Sequence, residues 1–539
     1  MGSFAGIGAA LIVLPLVQAL GCAEPERATA PPKPAAGGTL RMVQEAPQSL
    51  DPLRCDSVYE SLPINQIFDT IVAYSPSLTV VPALAESWSI SRDNLEYTFE
   101  LRPGVLFHDG QELSAHDVVH TITRQLSPRR TETSLAYSYL LVIDGAAEFA
   151  RGETDRVRGL EVVDERTLRV RLAHPYPSFL EVLAMDNLGV VPHTLVEGRG
   201  DDSFGRAPVG TGPFRLGGWQ DDKIVLEANS SYFAGRPYLD AVEISLLREG
   251  DTDTGASRFA QEAIDVLEAP GDVLPELAAD ETVELYRYPE LSLSFLGLNA
   301  ASPPLDNLDV RRAIAHAIDR KALVDESPEL RREAVGVLPP GLSGYSPEPN
   351  ALEHDRQEAR RLLAAAGHPD GQGLPPIELA SASKSASAQR VTQRIRDDLS
   401  EVGIRVELVP VSWAEMGERL ANGTSGMFLL GWVADLTDPD SFLRSLFETG
   451  GSGNYFRYAS PATEQLLERG MQQANPVERT RIYRELERQV LEQAPLVPLY
   501  HTVAVVAVRH GVQGFRPTPL GVAKVDLEKV WFHSPDRPS

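Results

Sequence analysis

Apolar and polar positions change period repeatedly along this chain. Residues 95–101 alternate, with Leu95, Tyr97, Phe99 and Leu101 separated by polar neighbours, as a half-buried strand requires. Residues 38–43, 167–172 and 224–227 read as further strands. Ser114, followed three residues later by Asp117, has the form of a capped helix start leading into 118–124. Apolar spacing close to 3.6 then predicts helices over 310–324, 355–366, 388–402, 461–473 and 476–493. After Leu496 the chain turns β-branched again, and 503–508 reads as a strand. Strands and helices alternating in this way indicate an α/β architecture. No repeat of 20 to 50 residues is visible, which argues against solenoids and propellers. Elements of both types near each terminus are compatible with a discontinuous domain.

The first 21 residues follow a different rule. From Gly2 to Leu20 there is no charge, and residues 7–20 are nearly all apolar, followed by Gly21 and Cys22. About 14 apolar residues are short for a membrane span but suit the core of a secretory signal. A small residue before a lone cysteine at the end of such a core resembles the lipobox of bacterial lipoproteins, which implies lipidation of Cys22. Residues 22–38, with Pro25, Pro31, Pro32 and Pro34, cannot bury a core and read as an extended tether. The expectation is an exported protein held to a membrane only through a lipid.

The remaining body of about 500 residues is too long for one core, so two or three domains are expected. Acidic residues outnumber basic ones by 76 to 50, giving a formal charge of −26. That balance argues against nucleic acid and anionic lipid as partners. Cys22 and Cys55 are the two cysteines. If Cys22 is lipidated, no internal disulfide can form.

The segment Gly431-Trp432-Val433-Ala434-Asp435, running on to Asp438-Pro439-Asp440, carries the most chemistry. It follows the apolar run Met427 to Leu430, so Trp432 and Asp435 sit where a buried strand opens into a loop. A carboxylate beside an indole suits capture of a cationic group, because the aromatic wall excludes water. Asp435 as a simple turn former is the other reading open at this point, since loops rich in Asp and Pro are common turns.

Several short motifs then occur in one order. Ser49-Leu50-Asp51-Pro52 is followed by Val81-Pro82-Ala83-Leu84-Ala85-Glu86-Ser87-Trp88, by Leu101-Arg102-Pro103-Gly104-Val105, and by Phe107-His108-Asp109-Gly110. Pro208-Val209-Gly210-Thr211-Gly212-Pro213-Phe214, Val310-Arg311-Arg312-Ala313-Ile314, the Gly431-Trp432 loop and Ala494-Pro495-Leu496-Val497-Pro498-Leu499-Tyr500 continue the series. Together they resemble the bacterial extracellular solute-binding proteins of family 5, the oligopeptide- and dipeptide-binding components of ABC importers. The resemblance implies a two-lobed α/β clamshell of the periplasmic-binding-protein type (type II, large peptide-binding subclass), with an extra domain on one lobe. It would place a signal peptide at 1–21 and a tether at 22–38. The base lobe would comprise 39–68, 207–290 and 503–539, the extra domain 69–206, and the opposing lobe 291–502.

The same resemblance implies a monomeric, non-enzymatic protein without a cofactor, which closes on a peptide ligand and docks on an ABC permease. Asp435 would pair with the ligand's α-ammonium, beside Trp432. Backbone groups of Gly431 to Val433 would bond the peptide main chain as a neighbouring strand does. Asp56, Ser57 and Val58 would form the opposite rim, and the extra domain would contribute Tyr139. For the ligand carboxylate, Lys384 is the cation nearest the matching loop.

Rival readings stand beside this one. His116 and His120 have the i, i+4 spacing of zinc ligands, but the glutamate base of the metalloprotease helix is missing, so no metal site is expected there. A hydrolase finds no Gly-x-Ser-x-Gly elbow and no partner for Cys55. Within the binding class, oligosaccharides or nickel chelates are the alternative ligands; the ammonium-seeking Asp435 favours peptides, and nickel lacks a histidine cluster.

Overall fold

The computed structural model describes residues 34–55, 57–128, 135–199, 201–248, 254–348, 353–382, 385–451 and 453–533. The signal segment, Cys22, Asp56 and Lys384 lie outside the described residues. Among the described residues no helix is long and apolar enough to cross a membrane.

Three main sheets organise the chain. In the first, Thr39–Glu45 runs parallel to Ala241–Leu247, which pairs antiparallel with Lys223–Ala228 and then Phe214–Trp219. Its core joins Leu40, Ile64, Phe214 and Ile244 to Val506, Val530 and Phe532 from the far end of the chain. A second, antiparallel sheet carries Ala85–Ile90, Glu96–Leu101, Thr167–Arg171 and Leu160–Asp164. Phe99, Val118, Leu168, Tyr176 and Phe179 fill the space between it and its helices. The alternation read at 95–101 is realised, with Tyr97, Phe99 and Leu101 buried. Ser114 does open a helix, Ala115–Gln125, its N–H donating to Asp117 Oδ2 at 2.9 Å.

The third sheet has eight strands and is organised by Leu496–Arg509. The first half of that strand pairs with Ser292–Leu298, and its second half with Val283–Pro289 and Val266–Glu268. Two extended runs, 283–298 and 496–509, thus pass side by side between one core built on Leu40 and Val506 and others built on Phe295 and Leu296. This is the two-lobed clamshell expected of the fold class.

Two sequence expectations are altered. The helix read over 310–324 is two helices, Leu308–Ala317 and Arg320–Asp325. Between them the Asp319 side chain accepts from Ala322 N–H at 3.0 Å, so a local cap starts a second helix instead of extending the first. The strand read at 503–508 begins seven residues earlier, at Leu496. Pro498 there interrupts the apparent pattern, but it lies opposite Phe295 beside a register shift, where a missing N–H is tolerated.

Candidate ligand-binding site

The strand Met427–Val433 pairs along its whole length with Ser292–Leu298. On its other edge Ile377–Ser381 accompanies it only as far as Leu429. Ala434 N–H donates to Leu291 O at 2.8 Å, which sets the phase of the antiparallel ladder. Alternate residues address opposite edges, so Trp432 bonds toward Leu293, while Gly431 and Val433 turn their N–H and C=O the other way. Among the described residues no strand pairs them there. Gly431 is exposed, leaving room for an added chain.

The loop that follows is held by Ser441, a fully buried residue of the helix Asp440–Phe447. Its hydroxyl accepts from Asp435 N–H at 2.8 Å and Leu436 N–H at 3.3 Å, and its carbonyl accepts from Trp432 Nε1 at 2.7 Å. The indole lies over Gly453, where a Cβ would come within 3.0 Å of the ring. Indole orientation and loop position are therefore fixed together.

The three carboxylates of this segment fare differently. Asp438 accepts from Asp440 N–H at 2.9 Å, from Arg479 Nη2 at 2.9 Å and from the Ser178 hydroxyl. Asp440 accepts from the Tyr483 hydroxyl at 2.8 Å. These two are anchors, and Asp438 performs the turn-forming role considered for Asp435. Asp435 is half-buried, and among the described residues no cation pairs with it. Burial pushes its carboxyl up to about 7. Such a group gains from any ammonium brought to it.

Tyr139 lies on the short helix Leu135–Leu140, its hydroxyl 3.0 Å from Ser445 Oγ. Burial, and then the charge of Asp435, push its phenol well above the ordinary value, so the structure brings Tyr139 and Asp435 into one environment. Ser57 and Val58 stand at the start of the helix Val58–Ile67, with Ser57 Oγ accepting from Tyr59 N–H at 3.2 Å. Val58 is 54% exposed. No described hydrogen bond links these two to residues 431–435. Ser441, Ser178 and Arg479, which shape the loop, have no signal in sequence, because serines and arginines are common and these act from other elements.

The His116 and His120 rings each lie 6.3 Å from that of His193, whose Nδ1 is 2.8 Å from Asp117 Oδ1. Among the described residues no group of three or more His, Cys, Asp or Glu side chains could hold a metal ion. A cavity of about 650 Å³ lies elsewhere, lined by Asp69, Tyr74, Tyr232, Lys524 and Glu528, and includes none of residues 431–435.

Comparison with known proteins agrees with this fold. The "Probable di/tripeptide-binding protein 5" of Pseudomonas aeruginosa is 29% identical over 524 residues, 92% of this chain and 96% of its own length. "Heme-binding protein A" of Haemophilus influenzae is 29% identical over 480 residues, 85% of each chain. Among solved structures, the Helicobacter pylori periplasmic binding protein DppA in complex with the peptide STSA superposes with a TM-score of 0.82 at 27% identity, covering 93% of this chain and 99% of that one. The model of "Bacterial extracellular solute-binding proteins, family 5 Middle" matches residues 79–454. With that match spanning well over half its length, and with the clamshell to accompany it, this chain belongs to the bacterial extracellular solute-binding proteins of family 5.

Proposed function

We propose that this protein is the peptide-capturing component of an ABC importer, binding the free N-terminus of a peptide at Asp435. The observation that carries the reading is a half-buried carboxylate with no cationic partner among the described residues, at the end of a strand whose Gly431 and Val433 backbone groups face an edge that no described strand pairs. A peptide laid along that edge receives main-chain bonds that do not depend on its side chains, and its α-ammonium meets Asp435. The peptide-binding relatives and the peptide complex support this ligand class.

Closure about the paired runs 283–298 and 496–509 brings the lobes together, 291–502 on one side and 39–68, 207–290 and 503–539 on the other, with the extra domain at 69–206. Trp432 and Tyr139 wall the ammonium site. Asp56, Ser57 and Val58 complete the opposite rim, and Lys384 serves the ligand carboxylate. The signal at 1–21 and lipidation at Cys22 hold the monomer at the outer face of a membrane beside its permease.

Titration calorimetry with trialanine and N-acetyl-trialanine tests the reading. Acetylation removes the ammonium and is expected to cost about 2–5 kcal/mol of binding free energy. Equal affinity for the two peptides, or binding of neither, would overturn it.

A further inference from the structure

A second group of acids lies where the two crossing runs meet, and strand register assembles it. Glu268 ends the strand Val266–Glu268 opposite Val506. Across the same long strand, Tyr286 lies opposite Val506 and Tyr288 opposite Ala504. Glu290 continues that row, its N–H donating to Thr502 O at 3.0 Å. Directly paired residues share a face, as do residues two apart along a strand, so Glu268, Tyr288 and Glu290 project from one face of this sheet.

Tyr59, in the first turn of the helix that Ser57 caps, stands over this face. Burial first, then the charges of Glu45 and Glu268, push its phenol up to about 12. Glu268 is exposed at the end of its strand, yet the protein around its carboxyl limits hydration of the charge and pushes it up to about 7, with the charge of Glu290 adding to the effect. Burial raises Glu290 as well, partly opposed by a hydrogen bond from the Ser292 hydroxyl. Among the described residues neither carboxylate has a cation acting on it. Tyr288 is only 7% exposed, its hydroxyl has no hydrogen-bond partner among the described residues, and its phenol feels both carboxylates. An unneutralised acid pair with an unpartnered phenol aimed at it is complementary to a group that is positively charged and rich in N–H donors.

The pair is joined to the proposed ammonium site through the backbone. Leu291, the residue after Glu290, is the one whose carbonyl accepts the Ala434 N–H beside Asp435. We infer that Glu268, Glu290 and Tyr288 form a side-chain pocket that takes the ammonium or guanidinium of a lysine or arginine residue in the bound peptide. The inference rests on the peptide reading above and narrows it: the preferred ligands carry a second positive charge in addition to the α-amine. The formal charge of −26 favours encounter with such ligands as well.

The test compares lysine peptides with norleucine peptides of nearly equal shape, Lys-Ala-Ala against Nle-Ala-Ala and Ala-Lys-Ala against Ala-Nle-Ala, by titration calorimetry on the intact protein. The wild type is expected to favour lysine about tenfold or more at one of the two positions. The double variant Glu268→Gln, Glu290→Gln is expected to lose that preference while binding the norleucine peptide as before. Tyr288→Phe, which keeps both carboxylates and changes one oxygen, is expected to reduce the preference in part, and it serves if the double variant does not fold. If the wild type binds lysine and norleucine peptides equally, or if the variants keep the preference, the pocket is refuted and the peptide reading stands. If the wild type binds none of the four, both readings fall.

Discussion

Replacing Asp435 by Asn should make the empty protein more stable and a poorer binder. Raising a carboxyl from 3.8 to about 7 corresponds to about 4 kcal/mol against its charged form, at about 1.4 kcal/mol per pKa unit. Asp435 keeps some solvent access, so about 1–3 kcal/mol is the gain expected when the charge is removed. The sign with pH is fixed. A buried acid with a raised folded pKa costs little near pH 4, where it is protonated in the folded chain and still about half protonated in the unfolded one, and costs most above pH 7, where folding must bury the charge. The Asn variant should therefore melt with the wild type near pH 4 and above it at pH 8, by about 1–3 °C for a chain of this size. At pH 8 its affinity for trialanine should fall by about 2–5 kcal/mol, because the ammonium loses the charge that receives it. Thermal melts across that pH range, paired with calorimetric titrations, read both effects. Trialanine affinity equal to that of the wild type would refute the role of Asp435, and a melting difference independent of pH would refute its buried charge.

Wild-type affinity for uncharged-side-chain peptides should drop about tenfold between pH 8 and pH 5.5, since only the ionised Asp435 binds the ammonium and its carboxyl titrates near 7 in the empty site, while the ligand amine is about half protonated at pH 8. An affinity flat over that range in calorimetry contradicts this. Arg479→Met strips Asp438 of its guanidinium and leaves a buried carboxylate uncompensated, so denaturant unfolding should show a loss of about 3–5 kcal/mol.

The ligand loop was partly legible in the sequence. An apolar run ending at Gly431-Trp432 placed Asp435 at a strand end without a structure, because burial of strand residues leaves a local pattern. The anchoring of the loop was not legible. Arg479 reaches Asp438 across 41 residues and Ser178 across 260, and no local pattern encodes such pairings. Position after Trp432 sets Asp435 apart in the sequence, but the fates of its two neighbours appear only in the fold: Arg479 and Tyr483 hold Asp438 and Asp440, while among the described residues no cation meets Asp435. The helices at 461–473 and 476–493 were found within a residue, as Pro461–Gln472 and Pro476–Gln493, because each begins with a polar cap followed by proline. The break at Asp319 was missed, since its cap competes with an apolar spacing that runs straight through it. Nothing in the local sequence sets Glu268 and Glu290 apart from the chain's other acids, and only the register of the strands around Leu496–Arg509 sets them on one face.

The long strand Leu496–Arg509 also governs when this protein can fold. Val266 must find Val508, and Ser294 must find Tyr500, before either lobe has a complete sheet. The first strand likewise shares its core with Phe532 near the other end of the chain. Contacts this distant in sequence close slowly, because a large loop entropy is spent before any of them is rewarded. A nascent chain shorter than about 500 residues has no means of finishing either lobe, and at about 5–20 residues per second that interval lasts on the order of a minute. Translation thus delivers both lobes incomplete until nearly the last segment emerges, although the sheet of Ala85–Ile90, Glu96–Leu101, Leu160–Asp164 and Thr167–Arg171, whose strands are close in sequence, has all its partners long before.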